Sequence, residues 1–160
     1  MKLETVEITI PEGDNVIIGH SHFIKSVEDI YEALVESGTA LRFGLAFCEA
    51  SGDKLVRSDG NDEKLTERAE KEAMKIGAGH TFVIFLSGGY PINVLNRIKN
   101  VSEVCSVYTA TANPVEIIYV DTHHGRAILG VADGMRPVGI EKKEDKEKRK
   151  EFLRKIGYKR

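Results

Sequence analysis

The chain has no tryptophan, only two cysteines and four prolines, and draws 7% of its residues from the aromatics. Cys48 and Cys105 lie far apart in strand-like runs and outside any CxxC pattern. That spacing excludes a disulfide framework and a thiolate metal cluster, and both read as buried free thiols. No sign of charge prevails: 23 basic residues face 25 acidic ones, a formal net charge of -2. This removes the bulk electrostatic case for nucleic acid or for a membrane surface. Apolar runs reach about six residues, far short of the roughly 20 that cross a bilayer. The opening "MKLETVEITI" carries no signal-peptide core, so the expected location is cytoplasmic. The G-x-x-x-x-G-K-[ST] pattern is missing too, which excludes a P-loop ATPase.

What is present is 160 residues with 41% hydrophobic content and no internal repeat, enough for one domain with a real core. "LETVEITI" and "NVIIGH" flank the turn "PEGD" and predict a hairpin. Ser26 is placed to cap the helix "SVEDIYEALVES", with Asp29 at the capping-box position and Gly38 ending it. "LRFGLAFCEA" alternates large residues with the small Gly44, Ala46 and Cys48, a face that invites close packing, here expected against another subunit. "EKLTERAEKEAMKIG" carries the narrow apolar stripe Leu65, Ala69, Ala73 and Ile76. "HTFVIFL" is apolar on both faces, as in a sheet centre, and Pro91 suits the first turn of a following helix. "CSVYTATA", "VEIIYVD" and "RAILGVAD" read as strands. Residues 142–160 form a charged helix or tail anchored by Phe152, Leu153 and Ile156. Strands alternating with helices predict an α/β fold, a three-layer α/β/α sandwich with a mixed sheet and parallel neighbours, over residues 1–141.

On that topology, "HSHFIKS", "SDGND", "SGGYP", "TANP" and "DGMRP" gather at the C-terminal edge of the sheet, where open α/β sheets collect ligands. His22 would meet the substrate there, with Lys25 beside a phosphate; otherwise His22 is a polar residue of a pre-helix loop. Gly88 and Gly89 allow close backbone approach, and with Tyr90 and the Pro-led helix they form an anion seat. Asp59, Asn61 and Asp62 suit ribose hydroxyls or a cation, or else a turn and a helix cap. Asn113, with Thr111 in "TATANP", has the amide to read adenine's N6 and N7, or is a turn residue before proline. His80 starts its strand, roughly 20 Å from Ser87-Gly88-Gly89 at the usual rise. It is expected to be structural within one subunit and catalytic only if an oligomer brings it to a neighbour's ligand. A zinc site from His20, His22, His123 and His124 lacks supporting thiolates or carboxylates, so no metal is expected.

The stretches "GHSHFIKSVEDIYEAL", "FGLAFCEASGDKLVRSDGND", "AMKIGAGHTFVIF", "YPINVLNRIKNVSEVCSVYTATANPVEI" and "GRAILGVADGMRPVGIE" resemble the adenosine-specific kinase family of archaea and bacteria. The likeness covers about residues 1–141 and leaves the charged tail outside. It implies binding of adenosine or AMP, a three-layer α/β/α fold, a homo-oligomer and a phosphohistidine; His22 and His80 both fall in matching stretches. A kinase would take a phosphoryl donor such as ATP with Mg as substrate. The alternative is a non-catalytic adenosine- or AMP-binding protein or sensor that uses a histidine only as a hydrogen-bond partner.

Overall fold

Strand β5 (Thr81–Ser87) is buried from Thr81 to Leu86 because both faces of its sheet are covered. The computed structural model describes residues 2–160. Around β5 lie β2 (Asn15–Ser21), β3 (Arg42–Cys48), β4 (Val56–Gly60) and β6 (Val104–Thr111), in the order β4-β3-β5-β2-β6. On one face, α1 (Ser26–Val35) and α3 (Pro91–Lys99) bury Ile30, Leu34, Val94 and Ile98 against Ile17, Phe43, Phe47, Phe82 and Ile84. On the other, α2 (Glu63–Ile76) lays Leu65, Ala69, Ala73 and Ile76 against Val16, Ile18, Ala46, Val83 and Phe85. A second sheet shares that layer: β1 (Leu3–Ile8), β7 (Val115–Asp121) and β8 (Arg126–Asp133), ordered β1-β7-β8, add Ile8, Val115 and Ile117 to the same core. The class is the expected α/β sandwich, with one outer layer shared between a helix and a small sheet.

Strand pairing departs from the sequence expectation. Every pairing is antiparallel, and the predicted hairpin is absent: β1 pairs with β7, whereas β2 lies between β5 and β6. The crossovers nevertheless join strands of one direction. Because β2 and β3 both run antiparallel to β5, the α1 crossover links co-directional strands with β5 between them. The α2 crossover from β4 to β5 skips β3, and the α3 crossover from β5 to β6 skips β2. A helix returning across a sheet fixes the direction of the next strand; which strand slots in between is decided by contacts remote in sequence.

Three local expectations also change. The small face of β3 is covered by α2 of the same chain: a Cβ at Gly44 would overlap the backbone of Leu65 and Thr66, and the Cys48 thiol donates to the Ala73 carbonyl at 3.4 Å. No second subunit is needed to fill it. Ser26 does not cap α1: Lys25 holds that position without a side-chain bond, and the buried Ser26 hydroxyl turns inward to Ser21 Oγ and the Phe23 carbonyl. Cys48 is buried, which pushes its thiol up to about 11, but Cys105 is exposed because β6 is an edge strand. The tail forms α4 (Lys143–Lys155), none of whose residues is buried. Its visible anchor is Tyr158, whose ring meets Tyr90 at 5.8 Å and whose hydroxyl donates to Asn93 Oδ1 at 3.1 Å. Among the described residues, no helix is long and apolar enough to cross a membrane.

Candidate functional site

An antiparallel sheet sends strand ends of both kinds to each edge, so the candidate residues divide. His22 follows β2 and His80 precedes β5, and β2 pairs with β5 so that His20 faces Thr81. The two histidines therefore share one edge. The expected separation of His80 from His22, and the convergence of all five loops, do not hold. "SDGND", "SGGYP" and "TANP" lie at the opposite edge, a strand length away, roughly 20 Å.

His80 is the most constrained residue of the histidine edge. Its φ is 63°, and only Lys54, at 53°, shares a left-handed backbone among the described non-glycine residues. Such a conformation persists only where the surroundings over-determine it. Here the His80 N–H donates to the Cys48 carbonyl at 2.7 Å, and the His80 carbonyl accepts from the Ser21 N–H at 2.9 Å. The ring stacks on Phe47, 5.9 Å between centroids and 12° between planes. The His20 ring meets it edge-on at 5.9 Å and 77°. Gly79 lets the segment before His80 lie close to Ala50, since a Cβ at Gly79 would lie 2.9 Å from Ala50 Cβ.

His80 and Lys54 both line a cleft of about 750 Å³ whose wall also carries His22, Phe23, Ile24 and Arg57. Phe23 and Ile24 are half-exposed at 50% and 52% and offer the cleft an apolar flank. His22 is exposed, with its N–H held by the Glu103 carbonyl at 3.0 Å. Lys25 sits on the same loop, 3.3 Å from Asp29. On the far wall, Glu49 Oε1 accepts from the Ala50 N–H at 3.1 Å, and Oε2 lies 3.3 Å from Arg57 Nε. Burial, then the neighbouring His80 and His22, hold His20 below the usual imidazole range, which favours its neutral form. A second cleft of about 470 Å³ shares Glu49, Lys54 and Val56 and extends to His124 and Arg126. The Arg126 guanidinium is engaged by Asp121, by the Ile76 carbonyl and by the Tyr119 ring. His123 and His124 pack on each other at 4.0 Å on the β7–β8 turn, apart from the His20–His80 contact. No three His, Cys, Asp or Glu side chains among the described residues are grouped to hold a metal ion.

At the opposite edge the predicted residues bond to their own chain. Asn61 Oδ1 accepts from the Phe43 N–H at 2.7 Å, and its Nδ2 donates to the Leu41 carbonyl at 2.9 Å. Asp62 caps α2 through the Leu65 N–H at 3.1 Å, and Asp59 accepts from the Gly60 N–H at 2.7 Å. The Tyr90 N–H, part of the anticipated anion seat, donates to Asn93 Oδ1 at 2.8 Å, and the Gly89 carbonyl accepts from Asn15 at 3.4 Å. Gly88 takes a φ of 76° beside Ala40, as only a turn glycine does readily. Thr111 Oγ1 accepts from the Asn113 N–H at 3.0 Å, while Asn113 Nδ2 donates to Asp133 Oδ1 at 3.2 Å. Partial desolvation raises the Asp133 carboxyl, but hydrogen bonds from Thr109, Thr111 and Asn113 outweigh it and hold the group below the ordinary carboxylate range.

The sequence pattern of the family described as Adenosine specific kinase matches residues 6–159. The chain belongs to the adenosine-specific kinase family. The match to the adenosine-specific kinases runs through α4, beyond the stretches that carried the resemblance. The chain is also similar to the crystal structure of PH1918 protein from Pyrococcus horikoshii OT3, with a TM-score of 0.94 and 46% identity, over 99% of this chain and 98% of that one. Among proteins of curated description, none matches.

Sequence reasoning singled out His22, Lys25 and His80 here but missed Phe23, Glu49, Lys54, Arg57 and His20 as members of the edge. Beyond the family stretches that contain them, only the alternate spacing of His20 and His22 gave a signal. Lys54 and Arg57 have no catalytic spacing of their own and look like ordinary surface charges.

Proposed function

We propose that this chain binds adenosine or AMP in the cleft between His22 and His80 and transfers a phosphoryl group through a histidine there. The supporting observation is that both histidines line one cleft together with Lys54, and that His80 and Lys54 carry the left-handed backbones found among the described non-glycine residues. Family membership supplies the nucleoside. The cleft supplies an apolar flank for a base in Phe23 and Ile24, and positive charge for phosphate in Lys54 and Arg57, with Lys25 on the adjoining loop.

In this reading His80 is the phosphoryl acceptor, because both its ring and its backbone are held in place. A lone pair of its imidazole attacks the terminal phosphorus of the donor, a substrate such as ATP with Mg, and the bond from that phosphorus to the bridging oxygen of the leaving nucleoside diphosphate breaks. The phosphoryl group then passes to a hydroxyl of adenosine, whose proton goes to His22 as the bond from phosphorus to nitrogen opens. Glu49 and the cations of the wall orient the reactants. Met135, Val138 and Ile140, exposed at 88%, 106% and 95% between β8 and α4, support a homo-oligomer formed through that strip.

The test is incubation with ATP labelled at its terminal phosphate, with and without adenosine, followed by acid treatment of the protein and chromatography of the products. The reading predicts acid-labile label on the protein, lost on addition of adenosine as labelled AMP appears. Adenosine binding with neither label nor product would establish the non-catalytic binding protein instead.

A further inference from the structure

The two clefts of the histidine edge adjoin. Glu49, Lys54 and Val56 wall both, and consecutive residues divide between them: Gly79 lines the cleft of about 470 Å³, His80 the one of about 750 Å³. The proposed chemistry fills only the side that carries His22 and leaves the arm toward α2 and the β7–β8 turn without a use. At the shared wall, two side chains lack partners of their own. Glu49 Oε2 is buried and accepts no hydrogen bond among the described residues, although Arg57 Nε stands 3.3 Å away. A buried acceptor in that state favours a ligand that brings a donor. Lys54 has its left-handed backbone held by its own N–H, which donates to the Ser51 carbonyl at 3.1 Å. Its ammonium pairs with no carboxylate among the described residues.

Farther along the arm, the fold uses most of the polar groups. Arg126 serves Asp121 and the Ile76 carbonyl, the Cys48 thiol donates to the Ala73 carbonyl, and the Thr122 hydroxyl donates to the Gly125 carbonyl at 2.7 Å. What is left to meet a ligand is the His124 imidazole and the Met74 side chain, 67% exposed beside the small residues Ala73 and Gly77. A thioether over a small-residue floor, with one imidazole beside it, suits a flat heteroaromatic base. We infer that this arm is the seat of the phosphoryl donor, a purine nucleoside 5′-polyphosphate. Its base lies against Met74 and His124, a ribose hydroxyl donates to Glu49 Oε2, and its phosphates run past Lys54 toward His80. The donor and adenosine then approach the same histidine from two sides, and the nucleoside diphosphate released by the first transfer stays in the arm. The donor role rests on the reading of the cleft given above; the existence of a second nucleotide seat does not.

ADP, titrated into isotope-labelled protein with and without saturating adenosine, tests this. With adenosine present, the Lys54, Gly77, Gly79 and His124 amides should shift on adding ADP, while His22 and Phe23 keep their adenosine-bound positions. Met74→Glu sets a negative charge in the arm on an exposed helix position, so the melting temperature should stay within a few degrees. Calorimetry of that variant should show ADP affinity at least tenfold lower and adenosine affinity within twofold of wild type. His124→Ala should weaken ADP several-fold and likewise spare adenosine. ADP that displaces adenosine from His22 and Phe23 without moving His124 would overturn the inference. So would a Met74→Glu protein that binds ADP like wild type, or one that loses both ligands equally. Adenosine binding with no ADP binding removes the seat and leaves the reading of the cleft in place. ADP shifts along the arm with no adenosine binding keep the seat and remove that reading.

Discussion

The two edges of the five-stranded sheet carry similar polar residues and use them in opposite ways. At the glycine-rich edge, Asn61, Asp62, Asn93, Asn113 and Thr111 each bond to a backbone group or a side chain of the same protein. At the histidine edge, His22, Lys54 and His80 face a cleft, and two residues keep backbones that cost energy to maintain. A loop rich in Gly, Asn and Asp is what a tight turn needs as much as what a phosphate needs. The difference becomes visible only when the hydrogen-bond partners are known.

The sharpest way to break this comparison is His80→Asn. Asparagine tolerates a left-handed backbone better than most residues, so the melting temperature should stay within a few degrees. Acid-labile label on the protein should disappear. Retained labelling would move the chemistry away from His80. The next largest effect belongs to the other edge: Asn61→Ala removes the two side-chain bonds from the β4–α2 turn to the backbone of Leu41 and Phe43, at a cost of about 1–3 kcal/mol in chemical denaturation. Adenosine affinity should be unchanged; a loss of affinity without a loss of stability would return Asn61 to the site. Smallest is Asn113→Ala, which gives up a bond to Asp133 near the surface, about 1 kcal/mol or less. Its adenosine affinity should match wild type, because its amide already serves the fold.

Much of the element order was legible, and for definite reasons. The stripe Leu65, Ala69, Ala73 and Ile76 has the spacing of one helix face, and "HTFVIFL" lacks a polar face because both sides of β5 are covered. Strand neighbours were not legible. Leu3 pairs with Val120 across most of the chain, and nothing local to either residue encodes the other. That gap carried into the site: His22 and His80 stood out one by one, but whether they meet depends on β2 lying next to β5, and parallel neighbours would have kept them apart. Glu49, Lys54 and Arg57 stayed hidden because a charged residue near a turn reads as solvated until a cleft is seen beside it. In the other direction, the conventional uses of Asp62 as a cap and of the Asn113 segment as a turn were legible from the start, and their hydrogen bonds bear those uses out.

The central claim, that the ligand sits at the histidine edge, is tested most directly by titrating adenosine into isotope-labelled protein and following assigned amide signals. The account predicts that His22, Phe23, Lys54 and His80 shift in proportion to binding, while Gly88, Gly89, Asn61 and Asn113 stay in place. Shifts confined to Gly88, Gly89 and Asn113, with the histidine edge unmoved, would contradict it.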